Sequence, residues 1–178
     1  IGEFQEWRGP STLVGIRKMR VADLFFDRST GEIRATGRGQ IEDWRKGDGG
    51  PRVRLTPETV SRANQTVSAE SREWNYTRMD FAGDLQGNQI RRYVELRDRV
   101  HVIHGPVEHA LETFQRDDFS ENAEKVKDAV WLGSDRMTIR LRPARKPESK
   151  DWLEVIAFGN AEIEGKRFRA RAHSISYD

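Results

Sequence analysis

Alternation of apolar and polar residues with a period of two is the feature that most constrains the fold of this chain. Residues 93–102 alternate throughout, and residues 137–142 repeat the pattern until Pro143 ends it. A strand with one buried face requires such alternation. Shorter segments of the same kind lie at 24–26, 33–35, 40–42, 152–156, 161–163, 168–172 and 175–177. Roughly eight to ten short strands separated by turns predict an all-β sandwich, barrel or jelly roll.

Turns and insertions separate these strands. Residues 27–31 (DRSTG) have the composition of a hairpin turn. Residues 56–65 begin with threonine, proline and glutamate, which suits either a short helix or a polar loop. Residues 107–130 mix helical spacing with charge, so they predict a short helical or loop insertion between strands. Residues 143–150, which contain two prolines, predict an exposed loop.

The composition excludes several classes of site. Charged residues make up 34% of the 178 residues and hydrophobic ones 35%, so the expected core is thin. The net charge is only +2 and opposite charges are interspersed, which does not indicate a nucleic-acid partner. The absence of cysteine excludes disulfides, thiolate zinc sites and a cysteine nucleophile. No apolar run reaches the length of about 18 residues that a membrane-spanning helix needs.

Two pairs of similar segments predict a repeated module. Residues 20–27 (RVADLFFD) and 171–178 (RAHSISYD) share an arginine, a small residue, an aliphatic residue, an aromatic residue and an aspartate. Residues 35–41 (ATGRGQI) and 157–163 (AFGNAEI) both fit A-x-G-x-x-x-I. The glycine permits a bulge or bend where a sheet curves. Because the two motifs occur in opposite order at the two ends, residues 1–178 are expected to form one β domain from a longer repetitive protein.

These motifs resemble the OstA-like repeat of the LptA-type lipopolysaccharide-transport family, which pairs an A-x-G-N-V-x-I strand with an A-D-x-[IL]-x-Y-D strand. The likeness covers residues 157–178 and 22–41 and, in the middle, 85–88 with 100–102. Arg38 stands where the family often has asparagine. The resemblance implies an OstA-like β-jellyroll, a folded-over sandwich of two sheets. It also implies a periplasmic or otherwise extracytoplasmic location and a binding role without cofactor.

The resemblance further implies an apolar groove that shelters the acyl chains of lipopolysaccharide or another lipid. Neighbouring β-jellyroll domains would pair through their edge strands. The candidates to line the groove are apolar residues on predicted strands: Leu24, Phe26, Ile33, Ile41, Leu96, Val100, Val102, Ile139, Leu141, Val155, Ile163, Phe168, Ile175 and Tyr177. The same residues can instead fill a closed core, which would make the chain a structural or protein-interaction β-repeat.

No constellation of residues predicts an enzyme. His101 and His104 form an H-x-x-H motif, but a strand directs these two positions to opposite faces, so joint metal ligation is not expected. The acidic residues within 117–121 suit a solvated turn better than paired catalytic carboxylates. Residues 37–39 lack the spacing of a dinucleotide-binding loop, and no serine has a G-x-S-x-G context.

The five tryptophans allow a third hypothesis. Trp7, Trp44, Trp74, Trp131 and Trp152 have arginines nearby and can form a carbohydrate or single-strand nucleic-acid platform. They share no common repeat position, so places in the core and rim of a sandwich are favoured. A carbohydrate-binding jelly roll remains the alternative from a different class.

Overall fold

In the computed structural model of the chain, residues 2–8, 12–47, 74–121, 128–143, 152–166 and 168–177 are described. Within them eleven strands join in one antiparallel sheet, which confirms the all-β prediction. The predicted helix or loop at 56–65 lies outside the described residues. So does the predicted loop at 143–150, apart from Pro143.

Strands follow one another along the chain, with one helical turn before the last three. They are β1 (Gly2–Arg8), β2 (Thr12–Arg20), β3 (Phe25–Asp27), β4 (Glu32–Ala35), β5 (Gly39–Lys46), β6 (Trp74–Phe81), β7 (Leu85–Asn88), β8 (Tyr93–Val107), α1 (Asp118–Glu121), β9 (Val130–Arg142), β10 (Trp152–Gly165) and β11 (Phe168–Tyr177). Some segments that the sequence predicts as separate strands form one strand in the structure: residues 152–156 and 161–163 both belong to β10. The two segments predicted within 168–177 likewise form β11.

The order of the strands divides the sheet into two parts. Along one path the order is β1-β2-β5-β6-β8-β7-β4-β3, while β9, β10 and β11 continue from the other side of β8. β8 pairs with β6 through residues 101–107 and with β7 through residues 93–96. We call the part containing β1, β2, β5 and β6 the first half-sheet, and the part containing β3, β4 and β7 the second half-sheet. Strands β8 to β11 run through both.

Two clusters of buried residues form the core. The first cluster contains Ile16, Trp44, Trp74, Tyr76, Ile103, Val107, Phe114, Ala129 and Trp131. The second cluster contains Ala35, Phe81, Leu85, Leu96, Val100, Met137, Ala157 and Ala161. Tyr76 and Phe81 lie five positions apart on β6, so strand alternation directs them to opposite faces. The two clusters therefore lie on opposite faces of the first half-sheet.

The segment after β8 covers the first cluster. Phe114 is only 1% exposed, and its ring meets that of Tyr76 edge-on, with the ring centroids 6.0 Å apart. Trp44 Nε1 donates a hydrogen bond of 2.8 Å to the carbonyl oxygen of Glu112. The short helix α1 lies between β8 and β9, inside the segment for which the sequence predicts an insertion, and it ends at Glu121. Residues 122–127 lie outside the described part of the chain.

The predicted hairpin turn joins β3 to β4. Asp27 Oδ1 accepts hydrogen bonds from the Ser29 hydroxyl at 2.7 Å and the Ser29 amide at 2.8 Å. These bonds favour the charged carboxylate and lower the pKa of Asp27 from 3.8 to about 2. Gly31 ends the turn with a φ of +70°, a left-handed conformation that glycine adopts without steric cost.

Candidate functional site

A line of left-handed residues crosses the sheet between its two halves. Gly37 and Gly159, the glycines of the two A-x-G motifs, have φ angles of +81° and +75°. Asn160 follows at +47°, and Asp98 and Arg99 in β8 have φ angles of +60° and +48°. The prediction that the motif glycine permits a bulge or bend is confirmed at both positions. We call these five residues the bulge line.

Neighbouring strands hold the bulge line in place. The amide of Ala82 donates a hydrogen bond of 2.7 Å to the carbonyl oxygen of Asp98. Asn160 Nδ2 donates one of 2.9 Å to Asp135 Oδ2. The pairing register shifts at these places, in β8 between Arg97 and Val100 and in β10 between Phe158 and Ala161. Asp98 and Asn160 are thus each held by a hydrogen bond to a residue outside their own strand.

Most of the residues predicted to line a groove lie together. Leu96 and Val100 are fully buried in the second cluster. Six more predicted residues are half-buried and pack against it: Ile33, Ile41, Val102, Ile139, Val155 and Ile175. These eight residues come from both half-sheets, so one apolar surface connects the two.

Three predicted residues are exposed instead. Leu24 is 53% exposed, Phe26 44% and Leu141 38%, and none of them belongs to either cluster. Phe26 pairs with Ile33, so it points to the same side of the sheet as the second cluster. Its strand β3 has a partner only on one side among the described strands, and this leaves the ring accessible.

The last three predicted residues lie near the other edge. Ile163 is buried at 7% exposure but belongs to neither cluster. Phe168 is half-buried, and its ring occupies the space where a side chain on Gly165 would lie. The backbone of Tyr177 pairs with Val155, while the side chain of Tyr177 is outside the described residues.

On the face that carries the second cluster, which we call the inner face, exposure increases from the row beside the bulge line to the next row. In the second half-sheet the adjacent row of cross-strand partners is buried: Ala35, Leu85, Leu96, Met137 and Ala157. The next row on that face contains the half-buried residues Ile33, Val94, Ile139 and Val155. In the first half-sheet the corresponding half-buried row is Ile41, Met79, Val102 and Leu132. Each half-sheet therefore presents one row of half-buried apolar side chains on this face.

The tryptophans divide between core and edge. Trp44, Trp74 and Trp131 are 2%, 7% and 8% exposed, so their predicted place in the core is confirmed. Trp7 on β1 is 52% exposed. The side chain of Trp152 is outside the described residues. With three of the five buried, the described residues provide no continuous tryptophan platform.

Polar groups on the first half-sheet are engaged with one another. The hydroxyl of Tyr76 donates a 2.8 Å hydrogen bond to Glu42 Oε1. Burial, together with this contact, raises the pKa of Tyr76 well above its ordinary value. Thr77 Oγ1 and His104 Nδ1 share a hydrogen bond of 2.8 Å, while His101 lies beside the ring of Trp131. No group of three or more metal-ligating side chains occurs among the described residues.

Unpaired strand edges bound the sheet on both sides. β1 pairs only with β2, and β11 only with β10, within the part of the chain that the structure describes. On β1, Phe4 is 64% exposed and Trp7 52%. On β11, Arg169 and Arg171 form ion pairs with Glu162 of β10. Each edge leaves backbone donors and acceptors available for another strand.

No helix in the described residues is long and apolar enough to cross a membrane. Comparison with known proteins yields no matching family model, no matching curated protein and no matching solved structure.

Proposed function

We propose that this chain is an extracytoplasmic lipid-binding domain with an OstA-like, folded-over β-jellyroll fold. It holds acyl chains of lipopolysaccharide or a similar lipid in an apolar groove between its two half-sheets. It needs no cofactor and catalyses no reaction. The observation that best supports this proposal is the increase in exposure along the inner face, from the bulge line outward.

The folded-over arrangement is supported by continuity of the strands. β8 contributes Leu96 on one side of its bulge and Val100 on the other, and both are fully buried in the same cluster. An extra residue that breaks the pairing register bends a strand and increases its twist. The left-handed Asp98 and Arg99 provide that bend, so the two half-sheets face each other across the second cluster.

The groove is supported by what the inner rows leave accessible. A closed core buries apolar side chains completely, as in the row beside the bulge line, but Ile41, Met79 and Val102 remain half-buried on one wall. Ile139 and Val155 do the same on the other wall. Burying a methylene group is worth about 0.8 kcal/mol, so about ten methylenes would contribute about 8 kcal/mol before the cost of ordering the lipid.

The strand edges favour a second function, that of a scaffold. β1 carries Glu3 and Glu6, whereas β11 carries Arg169 and Arg171. Pairing the β1 edge of one domain with the β11 edge of the next would bring opposite charges together. Such a head-to-tail contact is not closed by symmetry and extends into a row of domains. A row of this kind would also extend the groove from one domain to the next.

Uptake of a fluorescent fatty acid by the purified domain tests the groove. The variant Val155→Trp fills the inner face with a larger side chain, whereas Ile156→Trp places the same ring on the opposite face of the same strand. Val155 and Ile156 are both half-buried, which makes the second variant a matched control. Far-UV circular dichroism confirms that each variant keeps its sheet.

We expect the wild type and Ile156→Trp to bind the probe with similar affinity, and Val155→Trp to bind it at least about tenfold more weakly, the equivalent of about 1.4 kcal/mol. Equal binding by all three proteins would contradict the groove. Failure of the folded wild type to bind any acyl probe would also contradict it. That result, together with self-association, would select the scaffold function.

A further inference from the structure

A second concave site lies on the first half-sheet, beside the bulge line. It is a cleft of about 530 Å³, within the range of about 300–1,000 Å³ that is typical of small-molecule sites. The described residues with ionisable side chains in its lining are four arginines, one histidine and one aspartate: Arg20, Arg38, Arg78, Arg99, His101 and Asp80. This strongly basic lining contrasts with a chain whose overall charge is nearly balanced.

The floor of the cleft is a single row of cross-strand partners. Arg20 pairs with Gln40, Gln40 with Asp80, and Asp80 with His101, so the row crosses β2, β5, β6 and β8. Arg20 Nη1 donates to Gln40 Oε1 at 3.4 Å, and Gln40 Nε2 donates to Asp80 Oδ1 at 3.0 Å. Because Ile41 follows Gln40 and belongs to the inner wall, the cleft floor lies on the opposite face from the groove.

Among the described lining residues the one acidic group, Asp80, is already neutralised. Arg78 Nε lies 2.7 Å from Asp80 Oδ2, and Arg78 Nη2 lies 3.2 Å from Asp80 Oδ1. Burial alone would lower the pKa of Arg78, but the hydrogen bonds and charge of Asp80 raise it. Because Asp80 pairs with Arg78, no carboxylate among the described lining residues balances the charge of the other three arginines.

One of those arginines, Arg99, belongs to the bulge line, and another, Arg38, is adjacent to it in sequence. Arg99 is itself left-handed, and Arg38 follows the left-handed Gly37. Both side chains are exposed, and neither forms a hydrogen bond or ion pair with another described residue. Their backbone positions are set by the bends of β8 and of the β4–β5 connection, so the fold itself gathers like charges around one opening. An anion bound there would relieve their mutual repulsion.

We propose that this cleft binds a phosphate-bearing ligand, through Arg20, Arg38 and Arg99. Guanidinium groups present planar pairs of donors that match phosphate oxygens, and several of them converging on one opening suit a group with two or more negative charges. The enclosed volume suits a small ligand or a lipid headgroup rather than a polymer. The site lies on the outer face, so it does not depend on the groove.

Calorimetric titration of the purified domain with inorganic phosphate and pyrophosphate tests the proposal. The variants Arg38→Gln and Arg99→Gln each remove one exposed charge that pairs with no described residue, so folding is not at risk. Arg28→Gln is the matched control, because Arg28 is an exposed arginine in the distant β3–β4 turn that forms no ion pair with a described residue. Vesicles of phosphatidylcholine, with and without phosphatidic acid, distinguish a headgroup from a free phosphate.

We expect pyrophosphate to bind the wild type and the control alike, and each of the other two variants to bind it about tenfold more weakly, as loss of one charge-assisted hydrogen bond predicts. Vesicle binding that requires phosphatidic acid and is lost in both variants assigns the site to a headgroup. Pyrophosphate binding without vesicle binding assigns it to a soluble phosphate. Absence of pyrophosphate binding, equal weakening by Arg28→Gln, or tighter binding of a single-stranded oligonucleotide at this site would overturn the proposal. Uptake of the acyl probe should be unchanged in all three variants.

Discussion

Gly39 is a position where one added methyl group should disturb the second cluster. It is the first residue of β5 and lies against the ring of Phe81, which is 2% exposed at the centre of the second cluster. A Cβ atom added at Gly39 would lie 2.8 Å from both Cε atoms of Phe81, and closer still to its Cζ. Gly39→Ala therefore requires that ring to move, and the buried residues around it leave little space.

Two opposing effects set the size of the change. Gly39 does not have a left-handed φ, so alanine by itself would stabilise the protein by about 0.4–1 kcal/mol through the unfolded chain. Overpacking a dense core costs about 1–3 kcal/mol. Middle values of the two effects, about 0.7 and about 2 kcal/mol, leave a net destabilisation of about 1.3 kcal/mol, which lowers the melting temperature of a chain of this length by about 3–5 °C.

Urea unfolding followed by tryptophan fluorescence measures this effect. In the background Phe81→Leu the clash disappears, so Gly39→Ala should become close to neutral and the double-mutant cycle should give a coupling of at least about 0.5 kcal/mol. Gly37→Ala is the control, because a Cβ at Gly37 meets nothing within 4 Å and its cost comes from the left-handed backbone alone. A neutral Gly39→Ala, or additive single effects, would refute the packing argument.

Two further predictions concern the turn and the edge. The lowered pKa of Asp27 means that its charged form stabilises the fold above pH 3.8 and that this contribution is lost as the pH falls through about 2. An NMR titration of the carboxyl should place its midpoint near 2 in the wild type and higher in Ser29→Ala, whereas a midpoint at 3.8 in both would be incompatible with the turn. If β1 is a pairing edge, sedimentation velocity should detect association that rises with concentration and that Phe4→Lys abolishes without loss of stability, because Phe4 is 64% exposed. A wild type that stays monomeric at high concentration would argue against pairing.

The sequence predicted strands best where one face alone is buried. Within residues 93–102 of β8, the residues Val94, Leu96, Val100 and Val102 pack on or against the second cluster and none belongs to the first, so alternation was visible. β6 was not predicted as a strand of its own, because it packs against both clusters and apolar residues therefore appear on both of its faces. The number of alternating segments in the sequence is therefore smaller than the number of strands in the described residues, which is eleven.

Bends were predictable only where glycine marks them. Gly37 and Gly159 stand in the repeated motif, and both are left-handed as expected. The equivalent bend in β8 uses Asp98 and Arg99, whose side chains give no local sign of a left-handed backbone. A partner just after β6, the amide of Ala82, holds that bend, and its position is determined by the tertiary structure.

The sequence predicted much of the apolar surface but not the basic cleft, and the difference again lies in the tertiary structure. Alternation identified which face of a strand is apolar, but it did not indicate that Phe26 would lie on an edge strand and remain exposed. The basic cleft was not predicted, because Arg20, Arg38 and Arg99 are separated by long stretches of chain. Only the register of β2, β5, β6 and β8 brings them to one opening.

Photolabelling with a fatty acid that carries a diazirine on its acyl chain, followed by peptide mapping, tests the central claim most directly. If the two half-sheets enclose an apolar groove, the label should attach to the inner walls, at residues such as Met79, Ile139 and Val155. Competition with unlabelled fatty acid should remove it. Attachment to the opposite face, for example near Trp131 or Ile156, or labelling that no competitor reduces, would contradict a lipid groove between the half-sheets.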